Sequence, residues 1–500
     1  MTVLAAFEAP VLDYHALAPE IVLAGAFVLV FTVDLLGPRY RPYLGTVCGL
    51  GLLASLVPVF TLVVSDESAR VMFGGGYVVD NFALAVKALF LVAAYVVVLL
   101  STNYIGEGDY WEGEYYLMLL ASTLGMVVMA SSRDLIGIFV ALELLSIPAY
   151  MLATWRKRDS KSNEAGLKYY LMGVFATAVM LYGMSLIFGV TGSTDLVQIG
   201  EALSDGDSVP ILTLAIIFVV AGFAFKVSAV PFHTWAPDTY EGAPTPITAF
   251  LSVSSKAAGF VAIASLCLVG FWPQEEVWQP LFWILAALSM TVGNLVALRQ
   301  NNVVRLFAYS SVAQGGYMLA ALAVAGESVQ AREESIGALV VYLLVYAAMN
   351  LGAFAIIIAV ARKTRSGEIS SYGGLFDYAP GLAVLMTVFL FALAGIPPLG
   401  GWFAKFVIFK ALVNPGTPAG YVLAVIVGVN SVIALFYYAR IAQKMWMEPV
   451  PDEDRTPIKV PPSLAGALAI CCIVTLAFGV APNLVGDIGD LAELTPLAGL

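Results

Sequence analysis

The sequence predicts an all-α membrane protein of about 14 transmembrane helices, arranged as two inverted five-helix repeats in which helices 7 and 12 are broken. Three observations predict it. Hydrophobic residues make up 60% of the chain and charged residues only 12%, where soluble domains run to about 25% charged. The apolar residues fall in runs of about 20, the length that crosses the hydrocarbon, and not in the short alternating segments of a β-barrel. Two of those runs are interrupted by proline and glycine, five spans apart.

The spans lie near 16–36, 43–64, 82–101, 114–130, 135–154, 164–190, 210–230, 246–270, 277–298, 303–325, 335–361, 380–411, 417–445 and 462–482. The connections are short, so the chain is one polytopic domain. Its parts are three N-terminal helices (1–113), a first repeat (114–270), a second repeat (271–447) and a C-terminal helix with its tail (448–500). The seventh span breaks at Val230-Pro231-Phe232 and the twelfth at Gly395-Ile396-Pro397-Pro398-Leu399-Gly400-Gly401. Proline removes a backbone donor, and glycine lets the chain leave helical geometry. Pro231 precedes Trp235, and Pro398 precedes Trp402, by the same offset. An odd number of spans between the breaks inverts their orientation, as in transporter repeats; two unrelated kinks are the plainer alternative.

Basic residues orient the spans, because cytoplasmic loops are enriched in Lys and Arg. One set of alternate loops holds Arg39, Arg41, Arg156, Lys157, Arg158, Lys161, Arg299, Arg305, Arg362, Lys363, Arg365, Lys444, Arg455 and Lys459; the other set holds Arg70, Arg133 and Arg332. The first set is therefore expected to be cytoplasmic, with both termini on the opposite, periplasmic side of a bacterial inner membrane. The loop around Glu107, Asp109 and Glu112 has no cation, but acidic residues count little in this rule. With the N-terminal acids Glu8, Asp13 and Glu20 and no basic n-region, a cleaved secretory signal is not expected.

The composition also excludes functions. A formal net charge of −11 argues against nucleic acid as a partner. Cys48, Cys267, Cys471 and Cys472 show no metal-ligand spacing and sit in apolar runs, which suits packing. Haem sites in helix bundles usually need axial ligands paired between facing helices, so with His15 and His233 alone a cytochrome-b-like site is not expected.

The residues that ask for a function are charges inside the spans, each costing roughly 2.5–3.5 kcal/mol at the bilayer centre on insertion scales. Glu143 lies near the middle of the fifth span, either as a functional acid or as half of a structural pair. Lys226 borders the first break, Lys256 lies about 15 Å past Pro246 at 1.5 Å per residue, and Lys405 follows the second break. Lys168 stands four residues after Glu164, a spacing that either closes a helix end or assists proton uptake. His233 follows the break and either satisfies freed backbone groups or relays protons. Lys87, Lys410 and Arg440 are near span ends and are expected to snorkel, and Asp34 to cap. Proton transfer is the chemistry that such groups support: burial disfavours the charged form of a lysine, and an approaching carboxylate favours it. A movable carboxylate beside a buried lysine is thus a switch on proton affinity.

The segment FKVSAVPFHTWAPDTYEGAPTPITAFLSVSSKAAGF (225–260) closely resembles the signature of the subunit N family of respiratory complex I, the antiporter-like membrane subunits of NADH–quinone oxidoreductase. KYYLMGVFATAVMLYG (168–183), QNNVVRLFAYSSVAQGGYML (300–319) and FALAGIPPLGGWFAKFVIF (391–409) extend the resemblance over helices 4 to 13. The chain is too short for the long lateral helix of subunit L, and Lys405 replaces the glutamate usual in subunit M. The resemblance implies that Glu143 and Lys226 pair, that Lys256 is the central lysine and Lys405 the terminal one, and that Lys168 and His233 belong to the proton path. Gln314 departs from the histidine that relatives often carry after AYSS. The resemblance further implies no flavin, iron–sulfur cluster or quinone bound wholly by this chain, such cofactors belonging to partner subunits. It implies other membrane-arm subunits as partners, among them a neighbouring antiporter-like subunit and small helical subunits, with lipid, water and protons. A subunit of an Mrp-type sodium/proton antiporter and a non-conducting spacer of the membrane arm are the alternatives.

Overall fold

The computed structural model describes residues 12–65, 69–108, 112–204, 210–451 and 453–494; Glu8 and Asp109 lie outside them. Each expected span is a helix or a broken pair of helices. They are Ala18–Leu35, Leu44–Val64, Asn81–Gly106, Glu112–Ser131, Leu135–Ala153, Ser160–Thr191, Pro210–Lys226, Thr245–Gly270, Glu275–Ala297, Val303–Leu322, Val329–Thr364, Pro380–Ala394 with Gly400–Val413, Pro418–Met447 and Pro462–Val480. Among the described residues 11 helices are long and apolar enough to cross a membrane. The tenth span is less apolar, and the two broken ones are short. The only sheet among the described residues is a hairpin of β1 (Arg70–Met72) and β2 (Tyr77–Val79) between spans 2 and 3.

Burial follows composition. Spans 8 and 11 carry apolar residues on every side and are almost wholly buried, so they form the interior. Spans 1, 6, 13 and 14 expose apolar faces, including Phe175, Val425, Phe436 and Ile473, as a lipid solvent permits. Span 8 is not a plain α-helix: π-helical turns at Leu251–Ser255 and Leu266–Gly270 flank the α-helical Lys256–Ser265. Such turns insert an extra residue and gather at functional positions.

The inverted repeat is visible in local geometry. Gly125 on span 4 packs so closely on span 5 that a Cβ would lie 2.6 Å from the Leu145 nitrogen and 2.8 Å from the Ala141 oxygen. Gly293 on span 9 meets span 10 in the same way, with the Ala313 nitrogen at 2.8 Å and the Tyr309 oxygen at 2.9 Å. Asp134 caps span 5 through the Ile136 and Gly137 amides, and Asn302 caps span 10 through those of Val304 and Arg305. Each cap residue also forms a β-bridge to the connection that follows the next span but one, Asp134 with Asp195 and Asn302 with Glu368. The first bridge lies on the face where span 1 begins and the second on the opposite face. In this register Glu143 corresponds to Ser311, and Ser146 to Gln314.

Three sequence expectations are corrected. Span 7 ends at Lys226, four residues before Val230, and the chain resumes as a helix at Trp235. The break is wider than proline alone requires because Trp235 Nε1 donates to the Phe225 carbonyl at 3.0 Å and so satisfies a freed helix end. Lys87 does not snorkel: it is fully buried, its Nζ 2.7 Å from Glu20 Oε1, and Tyr77 donates to the same oxygen at 2.6 Å. Arg440 reaches the end of span 9, donating to the Leu298 and Gln300 carbonyls and to Asn301 Oδ1. Lys410 is exposed, as expected.

Candidate functional site

The candidate residues fall along spans 5, 7, 8 and 12, and the breaks put them within reach of the interior. Lys226 is the last helical residue before the first break, 5% exposed, and its Nζ donates to Ser146 Oγ on span 5 at 2.8 Å. Its stem passes beneath Gly259 of span 8, where a Cβ would stand 3.1 Å from Lys226 Cγ. The expected ion pair with Glu143 is not formed. Glu143 lies one helical turn before Ser146, half-buried, with a buried Oε1 that has no hydrogen-bond partner. A serine hydroxyl holds the lysine, and the carboxylate waits one turn away.

Lys256 follows the first π-turn directly and is 2% exposed. Its Nζ donates to the Ser311 carbonyl and to Ser311 Oγ, both at 2.6 Å. Tyr346 of span 11 donates to the same hydroxyl at 3.1 Å, and Asn350, one turn on, donates to Ser252 Oγ at 2.6 Å. Lys405 lies in the second half of span 12, half-buried. Its Nζ donates to the Ala394 carbonyl at the second break, at 2.8 Å, and stands 4.8 Å above the Tyr317 ring. The break lets the stem approach: Gly395 has φ +91°, and a Cβ there would meet Lys405 Cδ at 2.8 Å. None of the three lysines has a carboxylate within ion-pair distance among the described residues.

Lys168 and His233 stand apart from that row. Lys168 Nζ is 2.7 Å from both Glu164 Oε1 and Asp238 Oδ2. Asp238 in turn meets Arg305 at 2.8 Å, and Arg305 meets Glu241 at 3.0 Å. Burial alone would raise the Asp238 carboxyl, but hydrogen bonds from Lys168 and Arg305 hold it below its usual range. This network joins span 6 and the start of span 10 to the helix that follows the first break. His233 lies just inside it, half-buried, with Nδ1 unpartnered and its ring edge-on to Tyr309 at 6.2 Å.

A second observation concerns unpaired polar atoms. Tyr169, Ser228, Tyr240, Ser254 and Trp402 each bury a side-chain donor without a protein partner, His233 buries its Nδ1 in the same way, and Glu143 buries an acceptor oxygen. Ser254 and Trp402 lie on spans 8 and 12, Ser228, His233 and Tyr240 in the segment of the first break, and Glu143 and Tyr169 on the neighbouring spans 5 and 6. Buried polar groups are nearly always satisfied, by protein or by water, so the chemistry of this lining suits water.

The sequence profile of the family described as NADH:quinone oxidoreductase/Mrp antiporter, transmembrane, matches residues 132–434. NADH-quinone oxidoreductase subunit N 1 of Koribacter versatilis is 42% identical over 484 residues, covering 94% of this chain and 93% of the relative. The chain belongs to the subunit N family of NADH–quinone oxidoreductases. A second subunit N relative, from Trichlorobacter lovleyi, is 39% identical and covers 95% of this chain and 96% of the relative. Among solved structures, a chain of respiratory complex I from Thermus thermophilus with bound aureothin superposes with a TM-score of 0.77 at 32% identity, over 94% of this chain and 98% of that one. A chain of the Mrp complex from Dietzia sp. DQ12-45-1b gives 0.84 at 22% identity, over 96% of each, and shares the fold.

In this subunit N family member, sequence reasoning missed Ser146 and Ser311, the neutral groups that hold Lys226 and Lys256, and Tyr346 and Asn350, which donate to Ser311 and Ser252 beside Lys256. A signal was there. Tyr342, Tyr346 and Asn350 recur every four residues in span 11, and Ser310, Gln314 and Tyr317 share one side of span 10, so each helix carries a polar stripe through an apolar run. It also missed Arg133, which is buried, pairs with Asp80 at 3.0 Å and donates to Ser265 Oγ on span 8 at 3.3 Å. Nothing in the charge pattern separates this arginine from an ordinary loop cation.

Proposed function

We propose that this chain is a proton-translocating, antiporter-like subunit of the membrane arm of respiratory complex I, driven by NADH:quinone electron transfer in partner subunits. Flavin, iron–sulfur clusters and quinone belong to those partners in this reading. The chain sits in a bacterial inner membrane with both termini periplasmic, beside another antiporter-like subunit and small helical subunits. Residues 114–270 and 271–447 form its two repeats, preceded by 1–113 and followed by 448–500. Protons from the cytoplasmic side reach Lys226 and Glu143, with Lys168 and His233 near the uptake route. They cross through Lys256 and bridging water and leave by Lys405.

One observation carries this reading: the deeply placed lysines are held by hydroxyl and carbonyl oxygens and not by carboxylates. A structural buried lysine needs a counter-ion, because an uncompensated buried charge is strongly destabilising. A lysine held by neutral oxygens can exist as amine or ammonium, and the approach of Glu143 to Lys226 would favour the ammonium. Each charge carried across the membrane involves about 2.3 kcal/mol per 100 mV, which electron transfer must supply.

The test is proton pumping by the assembled complex in proteoliposomes with Lys256→Ala. The expected outcome is fewer protons moved per NADH in an assembled, NADH-oxidising complex. Undiminished pumping would overturn the reading and favour a non-conducting spacer. Pumping that requires sodium would favour the Mrp-type alternative.

A further inference from the structure

Between Lys256 and Lys405 lies a group of buried, uncharged polar side chains with Gln314 at its centre, 1% exposed. Gln314 Oε1 accepts from the Tyr342 hydroxyl at 2.5 Å. Its Nε2 donates to the Leu393 carbonyl at 3.3 Å and to the Tyr438 hydroxyl at 3.4 Å. Because a carbonyl can only accept, Leu393 fixes which end of the amide is nitrogen. Tyr438 shares a further hydrogen bond with Ser310 at 2.5 Å. One amide therefore ties spans 10, 11 and 13 to the second break.

Both lysines border this clasp. Ser311, which holds Lys256, is one turn before Gln314 on the same helix. The Tyr317 ring beneath Lys405 stacks on Tyr342 with centroids 6.3 Å apart. By the repeat register Gln314 stands where Ser146 stands in the first half, and Ser146 is the group that holds Lys226.

Serine and glutamine differ in what they pass on. A hydroxyl can accept one proton and release another, ending unchanged. A neutral amide has an oxygen that only accepts and a nitrogen that only donates. Gln314 consequently commits the Tyr342 proton toward itself and makes Tyr438 an acceptor, so the chain of hydrogen bonds is continuous in space but closed to protons.

We propose that Gln314 is the positioning residue of the second half of the path. Its clasp keeps the Tyr342 and Tyr438 hydroxyls apart, and a proton passes from Lys256 to Lys405 only when the clasp opens and water joins them. In that step the Lys256 ammonium gives up a proton and becomes an amine. Each intervening water or hydroxyl accepts one proton and releases one, and the Lys405 amine takes the last. The inference rests on the translocation reading above.

The experiment measures protons per NADH and electron transfer against pH in proteoliposomes holding the whole complex, for Gln314→Glu, Gln314→Leu, Tyr342→Phe and Lys256→Ala. Gln314→Glu places a group that can both accept and release a proton in the clasp, so the ratio is expected to depend on pH more steeply than in the native complex. Gln314→Leu puts an apolar side chain where the water must enter, and Tyr342→Phe removes one of the hydroxyls that the water must join, so both are expected to lose proton transfer while electron transfer persists; Tyr342→Phe keeps the ring and its packing if the leucine variant fails to assemble. If Lys256→Ala abolishes pumping while all three clasp variants keep the native ratio and its native pH profile, the clasp is only structural and the inference falls alone. If Lys256→Ala also pumps normally, the translocation reading falls with it.

Discussion

Lys226, Lys256 and Lys405 were legible in the sequence because an ammonium in an apolar helix is conspicuous; what holds each of them was not. Their partners, Ser146, Ser311 and the Ala394 carbonyl, are neutral groups distant in sequence or part of the backbone, and neither kind marks itself in composition. Glu143 was expected to pair with Lys226 and instead leaves one buried oxygen unpartnered. We therefore predict that Glu143→Ala assembles normally but uncouples, which the ratio of protons to NADH in the intact complex would register; a normal ratio would remove Glu143 from the path. Lys87 was misread for a related reason. Its depth from the span end suits snorkelling, and only the fold brings Glu20, far away in the chain, to 2.7 Å. Breaking a buried pair by removing one partner costs about 3–5 kcal/mol, whereas replacing both with apolar groups is often neutral. Lys87→Ala should therefore lower the thermal stability of the subunit, and Lys87→Met combined with Glu20→Leu should restore most of it. Equal destabilisation by both would show that the pair does more than compensate charge.

The elements were read more fully than their contacts. Span positions followed from run length, and both breaks from proline and glycine, because these signals are local. The width of the first break was not, since it depends on Trp235 reaching back to Phe225. The π-turns around Lys256–Ser265 leave no mark in residue type. At the mouth beside the break, the short helix Trp235–Gly242 is fixed by Asp238 between Lys168 and Arg305. Its folded carboxyl titrates below the unfolded value of about 3.9, so the stabilisation is complete above that value and is lost as pH falls through the lower, folded one. Partial exposure keeps the contribution of each pair under about 1 kcal/mol. Hydrogen exchange across Trp235–Gly242, corrected for intrinsic rate, should show constant protection from neutral to mildly acid pH and lose it only in strong acid. Protection that fell near pH 6 would point to His233 instead.

At the scale of the molecule, the repeat explains why a polar row can run through so apolar a protein. Two bundles of opposite orientation each carry one broken span, and the breaks expose backbone and admit lysines where an unbroken helix would present only side chains to its neighbours. The wholly buried span 8 and the nearly buried span 11 lie at the interior, with Lys256 on one and Tyr342, Tyr346 and Asn350 on the other. The number of spans and the offset of the breaks could be read from periodicity and breakers. The register of the two halves could not, because it rests on glycine contacts such as Gly125 with span 5 and Gly293 with span 10. The central claim is a hydrated passage parallel to the membrane. Its most direct test is a density map of the assembled complex that resolves water. Ordered water is expected on Ser228, Tyr240 and Ser254 between Lys226 and Lys256, and interrupted water at Gln314 before Lys405. Dry apolar packing around all three lysines in every state would contradict it.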